Sequence, residues 1–249
     1  MIKNFYFTIF ILLFCFGCSG EPINSQDQKN TKVFIPIETE EEESFEAQDT
    51  LKLLSLGDSY TIGQSVCETC RFPEQLKTRI KTNLKSISSI ELMIIARTGW
   101  TTTNLINAIE TENTSNDYDL VTLLIGVNNE FQNKPFSIYQ AEFPQLVNTA
   151  IKKAKGNKNK IIVISIPDYG FTPFGNGRTS ITEGINLYNN FAKNYCLQNN
   201  ISYVYITDIT RLGLSNPDFV ASDGLHPSEL AYTKFVDRIT PVAIDKIKN

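Results

Sequence analysis

The sequence predicts an α/β fold, a parallel sheet with helices packed on both faces. Three observations lead there. From Leu51 onward, apolar runs of strand length alternate with stretches of helical periodicity. Several runs are apolar almost throughout, as expected of strands covered on both sides. At 249 residues, with 41% hydrophobic and 20% charged, the chain can fill one sizeable core.

The first run, Leu51 to Leu56, stops abruptly at Gly57-Asp58-Ser59, and its boundary residues outweigh its lukewarm Leu and Ser composition. Arg71 to Leu84 suits a helix, with Phe72, Leu76, Ile80 and Leu84 on one face. Glu91 to Ala96 reads as the second strand and Thr101 to Glu112 as the next helix. Asp119 to Ile125 is the third strand, followed by a helix from Ser137 to Lys155 that Gly156-Asn157 would stop. The fourth strand, Lys160 to Ile166, runs into a long loop, Pro167 to Gly177, rich in Gly, Pro and aromatics. A helix from Thr182 to Gln198 and a strand from Ile201 to Ile206 follow, then an irregular stretch from Arg211 to Ser222. The last helix starts near Pro227, with a kink or break expected at Pro241. Five strands in this rhythm fit a flavodoxin-like three-layer sandwich around a five-stranded parallel sheet.

The N-terminus reads differently. Residues 1–18 have the build of a signal peptide: one early Lys, then an apolar run from Phe5 to Gly17 that is too short to span a bilayer. Its end at Phe16-Gly17-Cys18 resembles a bacterial lipoprotein signal, which would make Cys18 the lipidated first residue, although Cys15 stands where Leu is usual. A plain cleaved secretory signal is the alternative, and either way the protein is expected outside the cytoplasm. Residues 19–50 read as an acidic, solvated linker, with Val33 to Ile37 as its one apolar patch. Residues 1–50 hold three Lys and nine Asp or Glu of the totals of 23 and 27, which leaves a nearly neutral body of 20 basic and 18 acidic residues. No basic stripe or nucleic-acid motif stands out, so that class of partner is not expected.

The chemistry-bearing residues sit where predicted strands end. Ser59 follows the first strand at its carboxyl end, the edge at which α/β sheets place ligands. Gly99 follows the second and Gly126-Val-Asn128 the third. The only histidine, His226, lies in Asp223-Gly-Leu-His226. In that order, Gly57-Asp-Ser-Tyr60, Gly99, Gly126-Val-Asn128 and Asp223-x-x-His226 resemble the sequence blocks of the SGNH (GDSL) hydrolase superfamily, over about residues 51–248. The resemblance implies the same flavodoxin-like fold and a serine esterase.

A serine hydroxyl needs an adjacent base, and His226 is the one imidazole available to Ser59. Asp223, three residues earlier, could hold the other ring nitrogen. By resemblance, the Ser59 and Gly99 backbone N–H groups and the Asn128 side-chain amide form the oxyanion hole. Two departures stand out: Asn129 replaces the usual Asp, and Tyr60 the usual Leu. Trp100, Tyr169, Phe171 and Phe174 are candidates to line the acyl or leaving-group pocket, with ordinary packing as the commoner fate of such rings.

This chemistry needs no metal or cofactor, and the cysteines make no metal framework. Cys67 and Cys70 form a lone C-x-x-C pair, open to a short disulfide or to two free thiols, while Cys196 stands alone. The expected function is therefore that of an exported esterase, membrane-bound through a lipid anchor, acting on acetylated sugars, lysophospholipids or small esters. Acyl transfer to an alcohol by the same site, a non-catalytic binding protein, and a Cys67/Cys70 redox protein are the rival readings.

Overall fold

A computed structural model describes residues 50–249. The expected signal peptide of residues 1–18, the expected lipidation site Cys18 and the expected linker up to residue 49 lie outside the described residues. Thr50, the last residue assigned to that linker, already belongs to the first strand.

Five parallel strands form one sheet: β1 (Thr50–Gly57), β2 (Ser89–Ala96), β3 (Leu120–Leu124), β4 (Ile161–Ile164) and β5 (Ser202–Val204), in the order β2-β1-β3-β4-β5. Eight α-helices accompany them: α1 (Ser59–Ile62), α2 (Phe72–Asn83), α3 (Thr102–Glu112), α4 (Val127–Phe131), α5 (Phe136–Lys153), α6 (Thr179–Asn199), α7 (Thr207–Thr210) and α8 (Glu229–Lys248). Helices α2 and α8 pack against each other in one layer, while α5 packs with α3 and α6 in the other. This is the flavodoxin-like sandwich expected. The central strands β1, β3 and β4 are buried almost throughout, whereas the edge strands β2 and β5 are only partly covered. Leu51, Leu54 and Leu56 lose essentially all solvent contact, each contributing roughly 1.5–3 kcal/mol of burial. That burial is why a Leu-rich run of weak strand propensity becomes β1. Two polar side chains inside this sheet core satisfy each other, Thr122 donating to Ser55 at 2.9 Å.

Register places the site. Gly57, the last residue of β1, lies opposite Ala96 of β2 and Leu124 of β3. The loops leaving β1, β2 and β3 therefore emerge side by side. Between β1 and β3 the strand order reverses direction, the switch point at which such sheets open a crevice.

Boundaries moved by a few residues, with identifiable causes. Thr101 is the N-cap of α3 and not its first residue, in a reciprocal capping box with Asn104. Helix α5 stops at Lys153, before Lys155 and Gly156, which both have positive φ. No break occurs at Pro241: α8 runs from Glu229 to Lys248, its face of Phe235, Ile239, Ala243 and Ile247 buried on both sides of the proline. Continuous packing outweighs the one lost backbone hydrogen bond. The Pro167–Gly177 loop is tied down, with Asp168 fully buried, accepting from the Gly170 N–H and from Arg211 Nε at 2.9 Å.

Candidate active site

At the end of β1 the chain turns sharply into α1. Gly57 is required there, because a Cβ would collide with Thr61 Oγ1 and the Leu124 carbonyl. Asp58 caps α1 by accepting from the Tyr60 N–H at 3.0 Å. Ser59 is the first residue of the helix, where a backbone N–H has no acceptor within the helix. Asp58 is fully buried and its second oxygen, Oδ2, has no hydrogen-bond partner among the described residues, so burial pushes its carboxyl up to about 8.

The loops after β2 and β3 complete this side. Gly99 sits at φ +83°, a conformation that favours glycine, although a Cβ there would meet nothing. Its carbonyl accepts from Gln132 Nε2 at 2.8 Å. Asn128, in α4, donates one Nδ2 hydrogen to the Trp100 carbonyl at 3.0 Å, which leaves the second for a ligand. The neighbouring Asn129 is fully buried and ties α4 to the start of α3, accepting from the Thr102 N–H and donating to Thr102 Oγ1 at 2.7 Å. Thr102 Oγ1 in turn donates to Glu142. With the Thr102 proton committed to Glu142, residue 129 must supply a donor, and an amide does so where a carboxylate would not. That accounts for Asn in place of Asp.

The base side is built from a loop between α7 and α8. A bridge between Val220 and Pro227, the Ala221 N–H to His226 carbonyl bond of 2.7 Å, and Gly224 at φ +72° form a tight hairpin-like turn. Asp223 Oδ1 accepts from the Leu225 and His226 N–H groups, both at 2.9 Å. Its Oδ2 meets His226 Nδ1 at 2.6 Å and accepts from Ser65 Oγ at 2.6 Å. Burial alone would raise this carboxyl, but the donors from Ser65, His226 and Leu225 outweigh it and hold Asp223 well below the usual carboxylate range. The His226 ring is buried against Tyr60, 5.1 Å between centroids, so Tyr60 forms a wall for the imidazole. With Nδ1 engaged, Nε2 is the nitrogen left to exchange a proton.

Ser59, Gly99, Asn128 and His226 line one cavity of about 170 Å³, with Asp223 behind the histidine. Among the described residues no hydrogen bond joins Ser59 Oγ to His226; such bonds are often long in apo enzymes and tighten with substrate. Of the four aromatics singled out, only Tyr169 lines the cavity, its hydroxyl donating to Glu130 at 2.7 Å. Phe174 packs on Tyr169 and on Phe131 without lining it, and Trp100 and Phe171 do not line it either. Phe131 takes the place expected of them. It lies four residues after Val127 on α4, and both line the cavity, an i, i+4 pairing visible only once that short helix is recognised. Cys67 and Cys70 are joined in a disulfide beside this site, whereas Cys196 is a buried thiol of α6. Among the described residues no group of three or more His, Cys, Asp or Glu could hold a metal ion.

The model of the GDSL-like Lipase/Acylhydrolase family matches residues 55–234. The chain belongs to that family. It is a carboxylic ester hydrolase. Similar solved structures include a lipolytic protein of the G-D-S-L family from Veillonella parvula, 18% identical with a TM-score of 0.58 over 77% of this chain and 97% of the other. An acetyl xylan esterase from Geobacillus stearothermophilus is 19% identical, TM-score 0.61, over 78% and 94%. A psychrotrophic esterase from a Pseudoalteromonas species is 16% identical, TM-score 0.57, over 80% and 99%. At these identities the likeness is one of fold. No curated protein matches the chain.

Proposed function

We propose that this hydrolase is an exported serine esterase working through an acyl-enzyme, with Ser59 as nucleophile and His226 as general base. The observation that carries the reading is the convergence of Ser59, Gly99, Asn128 and His226 on one cavity, with Asp223 bonded to His226 Nδ1. Ser59 Oγ attacks the ester carbonyl as its proton passes to His226 Nε2. The negative charge on the carbonyl oxygen is met by the Ser59 and Gly99 N–H groups and the free Asn128 amide hydrogen. His226 then returns the proton to the departing alkoxide, and a water, deprotonated by the same nitrogen, releases the acid. Asp223 fixes the tautomer and stabilises the imidazolium.

The walls narrow the substrate. Val127, Phe131 and Leu225 offer apolar surface next to the reacting atoms, with Tyr60 and Tyr169 completing the enclosure. That lining favours esters with an apolar alkyl or aryl group over acetylated sugars, whose hydroxyls would need donors and acceptors. Export rests on the N-terminal signal, with Cys18 as the lipid attachment point that would hold the enzyme at a membrane. A panel of p-nitrophenyl esters beside acetylated xylose, with fluorophosphonate labelling of Ser59, tests the chemistry. Ser59→Ala should lose both labelling and turnover, and turnover retained in that variant would sink the mechanism. Cys18→Ala should release the protein from the membrane fraction; unchanged association would refute the anchor.

A further inference from the structure

We propose that Ser65 is a positioning residue of the catalytic centre, holding the Asp223 carboxylate in the plane that His226 needs. The inference rests on the acyl-enzyme reading above and adds a residue that the motif blocks do not contain. Ser65 Oγ lies 2.6 Å from Asp223 Oδ2, the same oxygen that meets His226 Nδ1. The other oxygen, Oδ1, is taken by two backbone N–H groups of Asp223's own turn. Ser65 is thus the one side chain besides His226 that bonds this carboxylate among the described residues.

The need for such a donor follows from exposure. The Asp223 side chain is 29% exposed and that of His226 only 9%. Water can compete for an exposed carboxylate, and a second fixed donor on Oδ2 limits its rotation about Cβ–Cγ. Ser65 is itself held at φ +67°, a region that a non-glycine residue seldom adopts and keeps only when its surroundings impose it. Those surroundings are visible. The Gly63 and Gln64 N–H groups both bond the Ser59 carbonyl, Thr98 Oγ1 donates to Gln64 at 2.6 Å, and the Cys67–Cys70 disulfide closes the chain two residues later.

The consequence is one of registration. Ser59 and Asp223 belong to parts of the chain that meet only in the folded protein, and the short segment from Ser59 to Ser65 spans between them. The nucleophile sits at one end and the carboxylate's donor at the other, so the base is aligned to the serine through this strap. Loss of the hydroxyl should therefore slow proton transfer while leaving the cavity, and so KM, unchanged.

A double-mutant cycle with a p-nitrophenyl ester tests this, using Ser65→Gly, which accepts the positive φ without strain, and Asp223→Ala. Ser65→Ala, which keeps the Cβ, serves as a second variant. Both Ser65 variants should lower kcat by about tenfold, the scale of one hydrogen bond to a charged group, with KM within about twofold of wild type. In the Asp223→Ala background the same changes should cost less than about twofold, because a residue acting only through Asp223 has nothing left to position. Equal losses in both backgrounds would overturn the proposal by showing a general structural role. No loss from Ser65 variants beside a crippled Asp223→Ala would overturn it while leaving the acyl-enzyme reading standing. Asp223→Ala at full activity would remove the acyl-enzyme reading in this form, and the proposal with it.

Discussion

The two sides of the cavity are built on opposite principles, and their two carboxylates show it. On the nucleophile side, Gly57, Asp58 and Ser59 stand at the end of a buried central strand, and Asp58 is sealed in the core with one oxygen unpartnered among the described residues. On the base side, Asp223 lies on a turn between helices, partly open to solvent and with both oxygens bonded. Burial pushes Asp58 up to about 8, while hydrogen bonds hold Asp223 far down. In the proposed mechanism the sheet supplies rigidity where charge would develop on the substrate, and a fully bonded surface turn supplies a fixed negative charge where the proton would move. Removing the buried Asp58 carboxyl should therefore be felt above all in folding, and removing the Asp223 charge above all in turnover.

The largest expected effect lies on the base side. Asp223→Asn should cut kcat by about 10⁴-fold through the wrong histidine tautomer, and should also lower the melting temperature, because the bonded carboxylate stabilises the fold while it is ionised. A kcat within about tenfold of wild type would take Asp223 out of the mechanism. On the other side, Asn128→Ala should lower kcat on the order of 100–1,000-fold, the cost of one oxyanion donor. It should also free the Trp100 carbonyl from its partner. An unchanged kcat would take Asn128 out of the mechanism.

Asn129→Asp sharpens the comparison because the residue is buried and does not line the cavity. It would set an acceptor against Thr102 Oγ1, whose proton goes to Glu142, and should cost roughly 1–3 kcal/mol in urea unfolding with kcat little altered. Equal stability of the two proteins would dismiss this account of the departure from Asp. A last effect is read against pH, in stability and not in turnover. Asp58 has a folded-state value of about 8 against 3.8 for the free group, so the folded protein holds a proton that the unfolded chain releases. Stability is therefore lost progressively as pH rises from about 4 through about 8, and levels off above. Asp58→Asn removes this linkage, so its melting temperature should gain on wild type between pH 5 and pH 8. Parallel melting curves across that range would show that Asp58 is ionised in the native state.

Much of this was legible in advance where a single physical signal dominated. Strand and helix alternation, read from apolar runs, indicated the five-stranded sheet, and helix faces such as Phe72, Leu76 and Ile80 proved to be core. Short helices were not legible: α1, α4 and α7 span four or five residues, too few for periodicity to register. Without α4 nothing in the sequence points to Phe131, and the candidates for the cavity wall are Trp100, Tyr169, Phe171 and Phe174, of which only Tyr169 lines it. The helix is unbroken at Pro241 because packing on both sides of the proline, which local propensity ignores, holds it together.

The sequence by itself singled out Ser59, Gly99, Asn128 and His226, because a serine, a glycine and an asparagine just after apolar strand-length runs, and a lone histidine three residues after an aspartate, are local facts of spacing and type. It also determined the sheet, because burial on both faces demands long apolar runs. Tertiary structure alone decided how those residues are supported. Ser65 reaches Asp223, Asn129 holds Thr102, and Tyr60 backs His226 across separations that no local pattern encodes. The disulfide was likewise settled by position, since a C-x-x-C spacing permits a bond and only the folded loop brings the two Cα atoms to 5.0 Å. Contacts between distant segments depend on the register of strands and the direction of loops, which exist only once the core has closed.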